Sequence, residues 1–200
     1  MCQLFETIRI YNGLLMHPEW HEARMNLSRM ELWNLHDPLL LSEIIKVPEE
    51  WKTGLVQCNV TYGHELSSVT FKAYLKRPVK SLKLIECDSI DYHLKKSDRS
   101  LLNDLFSRKG DCDEIIIIKQ GFITDTSISN LIFFDGKNWF TPKTPLLKGT
   151  CRERLLKEGK ISEMEIRVND FRQFSGLKLI NAMRFPEEEA LILTSGIKSL

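Results

Sequence analysis

Lys95 stands immediately before a helix-start pattern, and Asp125 follows in the turn-like run Thr124-Asp125-Thr126-Ser127-Ile128-Ser129-Asn130. An amine that can form a Schiff base, with a separately placed carboxylate able to hold a protonated pyridine nitrogen, is the pair that pyridoxal phosphate chemistry requires. A lysine becomes a useful nucleophile when its ammonium is partly desolvated or set beside other positive charge, and Lys95 has Lys96 next to it with Arg99 four residues on. A chain with 28 Lys+Arg and 27 Asp+Glu offers many lysine–acid pairs by chance, so context has to decide. Locally, Lys95 fits a solvated basic start to a helix and Asp125 an Asx-type turn.

The elements that must position these residues can be read from periodicity. Leu4 to Tyr11 alternates as a strand, and Asn12-Gly13 supplies a tight hairpin turn. His17-Pro18 opens a helix to about Leu35, with Trp20, Ala23, Leu27 and Met30 at helical spacing as its expected apolar face and Arg24 at the edge of that face. A second helix is expected over Leu40 to Lys46. Strands follow at Leu55 to Tyr62, Val69 to Leu75 and Leu82 to Cys87. Ser97-Asp98 resembles an N-cap leading into Leu101, Leu102, Leu105 and Phe106. The domain change is placed here, giving a small N-terminal α+β domain over 1–90 and a C-terminal α+β domain over 91–200 that carries Lys95. In the second half, strands are expected at Ile115 to Lys119, Leu131 to Phe134, Glu163 to Val168, Leu177 to Ile180 and Ala190 to Thr194, with a helix from about Arg152 to Lys157. The four isoleucines 115 to 118 predict a strand buried on both faces.

Two hundred residues with 42% hydrophobic content are enough for a buried core. A net charge of +1 with evenly mixed signs gives no electrostatic reason to expect nucleic acid or an anionic membrane as partner. The N-terminus lacks the basic start and apolar run of a signal peptide, and no apolar stretch approaches the ~20 residues of a membrane span. A soluble, cytoplasmic protein is therefore expected. Cys2, Cys58, Cys87, Cys112 and Cys151 are odd in number and scattered, which suits reduced thiols better than a disulfide framework or zinc site. His17 and His21 have metal-like spacing but no third ligand nearby, and no metal site is assigned.

Six pieces, in order, carry a resemblance: Phe5-Glu6-Thr7 with Ile8-Arg9; His21-Glu22-Ala23-Arg24-Met25; Lys95 before a helix; Thr124-Asp125 with Ser129-Asn130-Leu131-Ile132-Phe133; Thr141-Pro142; and Leu146-Leu147-Lys148-Gly149. Together they resemble the class IV aminotransferases, a pyridoxal phosphate group that includes branched-chain and D-amino acid transaminases and 4-amino-4-deoxychorismate lyase. The resemblance implies a two-domain α+β fold of the D-amino acid aminotransferase type, shortened at its N-terminus, with the cofactor site between domains and completed at a homodimer interface. It makes Lys95 the Schiff-base lysine and proton carrier, Asp125 the partner of the pyridine nitrogen, and Arg24 a phosphate ligand. Gly149-Thr150-Cys151 matches the phosphate loop. Further cofactor contacts fall to Ser129, Asn130, Leu147, Thr150, Cys151 and Asn181.

Each assignment has a plainer alternative: Arg24 as a helix arginine with its stem packed and head in water, and Gly149-Thr150-Cys151 as an ordinary turn into a helix. Three departures stand out. Asp125 occupies a position where the family usually has glutamate, so its carboxylate is shorter by one bond of about 1.5 Å. Cys151 replaces a frequent threonine, and the N-terminal strands that normally precede Phe5 are lacking. Asn181-Ala182-Met183 looks like the stretch found in the lyases and tilts the reading toward release of pyruvate and 4-aminobenzoate from aminodeoxychorismate. An amino acid transaminase is the runner-up, and a non-catalytic cofactor-binding homologue is the third reading. Tyr74 and Arg77 could reach a substrate carboxylate, but read locally as surface groups at a strand end.

Overall fold

Alternation along the first strand organises the N-terminal part of the chain. In β1 (Leu4–Tyr11) Leu4, Glu6, Ile8 and Ile10 are buried on one side, with Phe5 and Thr7 half-buried on the other. Asn12 and Gly13, at φ 48° and 81°, turn the chain into β2 (Leu14–Leu15), the paired positive φ values of a two-residue hairpin. After α1 (Pro18–Trp33) and α2 (Leu41–Ile44), β3 (Leu55–Tyr62) and β4 (Leu66–Ala73) complete an antiparallel sheet ordered β2-β1-β3-β4. Leu4, Ile8, Ile10, Met25, Leu41, Val56, Val60 and Tyr62 pack together as its core.

The computed structural model describes residues 3–198, so Cys2 lies outside the described residues. The chain forms two compact units. One takes in the described residues up to Lys76 together with Leu94–Asp98; the other comprises Arg77–His93 and the chain from Arg99 onward. This differs from the division expected at residue 90, because Lys95 belongs with the first unit. Main-chain pairing is the reason: the Phe5 amide donates to the Lys95 carbonyl at 3.0 Å and the Ser97 amide to the Gln3 carbonyl at 2.8 Å, with Leu4 and Lys96 bridged antiparallel. Residues 94–97 thus act as a short extra strand on β1. Ser97 is spent on this pairing rather than on a helix cap, and α3 (Ser100–Ser107) starts after Arg99 with no side-chain cap.

The face that α1 buries is not the expected one. His21, Met25, Ser28 and Arg29 are buried, whereas Ala23 is exposed and Leu27 and Met30 are 59% and 43% exposed. Glu6 meets this face from β1 through His21 and Arg24. Arg29 is tied down by the carboxylate and carbonyl of Asp37 and the carbonyl of His64. A stripe of buried polar groups bonded to Glu6, Asp37 and His64 has no apolar periodicity. Asn34, left-handed at φ 54°, ends the helix and donates to the Met30 carbonyl.

In the second unit, β5 (Leu82–Glu86) pairs in parallel with β6 (Glu114–Lys119), and β6 turns back into β7 (Phe122–Ile123). All four isoleucines are buried, Ile116 and Ile118 in one apolar cluster and Ile115 and Ile117, with α3 residues Leu102 and Leu105, in another. A second sheet contains β8 (Asn130–Phe134), β9 (Trp139–Pro142), β10 (Ser162–Met164), β11 (Gly176–Ile180) and β12 (Ile192–Leu193) in the order β10-β9-β8-β11-β12. The connection from β9 to its parallel neighbour β10 runs through α4 (Thr150–Lys157), and β13 (Ile197–Lys198) returns beside β5. Each expected strand is found at least in part; in the last third β11 matches, whereas β10 ends at Met164, well before Val168, and β12 spans two residues. No described helix is long and apolar enough to cross a membrane.

Candidate active site

Within the first unit, three charged or polar side chains close on one another. Glu6 is fully buried; its Oε1 accepts from Arg24 Nε at 2.9 Å and its Oε2 from Arg24 Nη2 at 2.5 Å. Oε2 also lies 2.7 Å from His21 Nδ1. Burial alone would raise the Glu6 pKa, but the Arg24 charge and the bond from His21 outweigh it and hold the carboxyl at about 2. Burial pushes His21 below its ordinary value, with Arg24 and Lys95 adding to the effect against the pull of Glu6. His21 is thus neutral at pH 7 and donates its Nδ1 proton to Glu6. The pair His17 and His21 is separated in role by this bond, because His21 is committed to Glu6. Lys95, half-buried, sets its Nζ 4.2 Å from the centre of the Phe5 ring.

The signs of these shifts give a pH dependence. Glu6, depressed from 4.5 to about 2, adds stability that is complete above pH 4.5 and is lost as pH falls toward 2, on the order of 3 kcal/mol. His21, lowered from 6.5, likewise costs stability as pH drops below 6.5 because the unfolded chain takes up the proton first. Asp125, buried in the second unit, is raised from 3.8 to about 6 and runs the other way, its contribution declining as pH rises through that interval. We expect a shallow dependence between pH 4.5 and 6.5, where His21 and Asp125 oppose each other, and a steep loss below 4.5. Urea midpoints measured from pH 7.5 to 3 check this; a uniform slope across the whole range would contradict it.

In the second unit, the acid of the Thr124 to Asn130 run is buried with both oxygens held. Asp125 Oδ1 accepts from Asn130 Nδ2 at 2.7 Å, and Oδ2 accepts from the Leu147 amide at 2.9 Å. Asn130 Nδ2 also donates to the Leu147 carbonyl at 2.8 Å, which clamps the two loops together. Desolvation pushes the Asp125 pKa up to about 6, against the donors Leu147 and Asn130 and the charge of Arg152. Asp125 is therefore no Asx-turn residue. Thr126 makes the turn instead, its hydroxyl accepting from the amides of Ile128 and Ser129 at 3.2 and 2.9 Å.

Asn181, at the end of β11, donates to Ser129 Oγ at 2.9 Å and to the Ile128 carbonyl at 3.2 Å, while its Oδ1 accepts from the Met183 amide at 2.8 Å. It is both a strand-end turn residue and a brace for the acid-bearing loop. Gly149 precedes α4 with no side-chain cap, and helical geometry leaves the Cys151 and Arg152 amides without intrahelical partners. Thr150 is buried at the first helical position. The Cys151 side chain turns into an apolar cluster with Ile132, Leu155, Ile161 and Ile180, where burial pushes its thiol up to about 11, so only its amide can serve an anion.

Pyridoxal phosphate fits the groups each unit offers. A carboxylate has about four acceptor positions, so Asp125, held by Asn130 and by the Leu146 and Leu147 amides, retains capacity for a further cationic N–H donor. The start of α4 offers amides to an anion, and the first unit offers an amine at Lys95 and a guanidinium at Arg24.

Several contributors escaped the sequence reading. Glu6 had a signal, since it occupies a buried position of an alternating strand. Glu114, buried under the same loop, accepts from the amides of Ile115 and Ser127, and Arg99 Nη2 donates to the Ser127 carbonyl at 2.6 Å. Arg152, 1% exposed, anchors the start of α4 by donating to the Pro142 carbonyl and to Glu163 Oε1 at 3.0 and 2.6 Å. Thr141 and Pro142 therefore hold structure rather than ligand, the Thr141 hydroxyl donating to the Leu131 carbonyl at 2.9 Å. Arg77 is exposed and Tyr74 half-buried.

The model of the family described as amino-transferase class IV matches residues 3–185. An uncharacterised Haemophilus influenzae protein is 43% identical over 185 residues, covering 92% of this chain and 98% of its own. A Haemophilus somnus crystal structure, provisionally described as a 4-amino-4-deoxychorismate lyase, is 39% identical with a TM-score of 0.87, over 92% of this chain and 98% of that one. A Schizosaccharomyces pombe protein provisionally named an aminodeoxychorismate lyase is 42% identical over 180 residues, 80% of this chain and 75% of its own. The chain belongs to the class IV aminotransferases, a family of pyridoxal phosphate-dependent enzymes.

Proposed function

We propose that this protein is a pyridoxal phosphate-dependent lyase that splits 4-amino-4-deoxychorismate into pyruvate and 4-aminobenzoate. The observation that carries the reading is the buried, doubly held carboxylate of Asp125 at the family's acid position. The provisional descriptions of the Haemophilus somnus and Schizosaccharomyces pombe relatives support the lyase over an amino acid transaminase, as does the resemblance of the Asn181-Ala182-Met183 run to the lyases.

When bound, the cofactor supplies an aldehyde that captures an amino group and a ring that accepts electrons. Lys95 would hold the cofactor through its amine, and the same amine would serve as the base that takes the substrate proton and the acid that returns it. Asp125, ionised at pH 7, keeps a positive charge on the ring nitrogen. Arg24 and the first amides of α4 take the phosphate. By the resemblance, the working enzyme is a homodimer.

The two products together contain every atom of the substrate, so the reaction needs no 2-oxo acid. Purified protein loaded with pyridoxal phosphate should form pyruvate and 4-aminobenzoate in equal amounts from aminodeoxychorismate alone. No product from that substrate, together with amino transfer from an ordinary amino acid once a 2-oxo acid is added, would make the protein a transaminase.

A further inference from the structure

We propose that Glu6 and His21 are positioning residues for the phosphate end of the cofactor, acting through Arg24; the proposal rests on the pyridoxal phosphate reading above. The geometry separates the three by accessibility. Glu6 and His21 have side chains 0% and 2% exposed, whereas that of Arg24 is 15% exposed. Glu6 pairs with one edge of the guanidinium, the edge carrying Nε and Nη2. A guanidinium has a second edge, formed by its two terminal nitrogens, that matches the paired oxygens of a phosphate.

His21 completes the hold. Its Nδ1 donates to Glu6 Oε2 from the same helix as Arg24, three residues earlier, so α1 grips the carboxylate that β1 presents at both of its oxygens. A carboxylate bound at both oxygens by two residues of one helix cannot rotate without breaking a buried bond. Arg24 is oriented before any ligand arrives, and a phosphate need not order a long, flexible side chain on binding. The arrangement therefore acts on the phosphate and not on the pyridine ring.

The test compares pyridoxal 5′-phosphate with pyridoxal, which lacks the phosphate, by absorbance titration of the cofactor-free protein. The readout is the ratio of the two dissociation constants, which a general loss of structure does not change selectively. Arg24→Gln should collapse the preference for the phosphorylated form. Glu6→Gln should lower it about tenfold or more, and the double variant should be no worse than Arg24→Gln alone. His21→Leu should lower the ratio too, and His21→Asn, whose amide can donate from the place of Nδ1, should restore most of it. Should Glu6→Gln not fold, the two His21 variants decide the matter. Equal weakening of both ligands, an unchanged ratio, or no difference between His21→Leu and His21→Asn would overturn the proposal. Unmutated protein that binds neither ligand would overturn the cofactor reading itself, and that result is read before any variant is made.

Discussion

Lys95→Ala should reduce turnover by a factor on the order of 10⁴ while the protein stays folded, since both the covalent hold on the cofactor and the proton carrier are lost. The fold survives because Lys95 is fastened through its main chain: its carbonyl accepts from Phe5, and its neighbours bridge to Leu4 and Gln3. Its side chain lies over the Phe5 ring, a contact worth about 0.5–1 kcal/mol in such half-exposed settings. Borohydride reduction followed by peptide mapping gives the complementary result. A pyridoxyl group should be found on Lys95 in the unmutated protein and nowhere in the variant; a tag on Lys96, or turnover that persists in Lys95→Ala, would move the chemistry elsewhere.

Gly149→Ala is the second large effect, and its cause is space alone. The backbone at Gly149 is extended, at φ −68° and ψ 141°, and any residue could adopt it. A Cβ there, however, would run into Asn130 Oδ1, with Asn130 Cγ only 3.2 Å away. Asn130 cannot move without releasing Asp125 and the Leu147 carbonyl, two buried partners that cost about 1–3 kcal/mol each when left unmet. We expect a loss of roughly 3–5 kcal/mol in unfolding free energy. Asn130→Ala clears the obstruction, so the double variant should be as stable as Asn130→Ala alone. Additive losses in denaturant titrations would mean that Gly149 and Asn130 act independently.

How much of this was legible beforehand depends on which signal a residue leaves. Strands β1, β3 and β6 announce themselves through alternation or an unbroken isoleucine run, and they lie where periodicity puts them. The α1 face does not, because His21, Ser28 and Arg29 are buried there beside Met25 and its exposed residues include Leu27 and Met30. Apolar spacing is blind to a face that is held by ion pairs. Asp125 and Asn130 are legible as a motif, yet their bonds to Leu147 reach 22 and 17 residues along the chain, and no local pattern encodes that. The assignment of Lys95 to the C-terminal part followed from the helix after it. The strand pairing before that helix is invisible to helix signals.

That pairing also bears on how the chain comes to hold its reactive amine. A nascent polypeptide that has emerged as far as Lys76 already contains every helix and sheet strand of the first unit, yet the Phe5 amide and the Gln3 carbonyl still face an empty edge. An uncovered strand edge of this kind is an invitation to pair with another chain. The partner segment arrives only after residues 77–93 have been made, and closing so long a loop is slow compared with forming the hairpin at Asn12-Gly13. One pairing thus does two things, placing Lys95 beside β1 and sealing the edge that β1 leaves open.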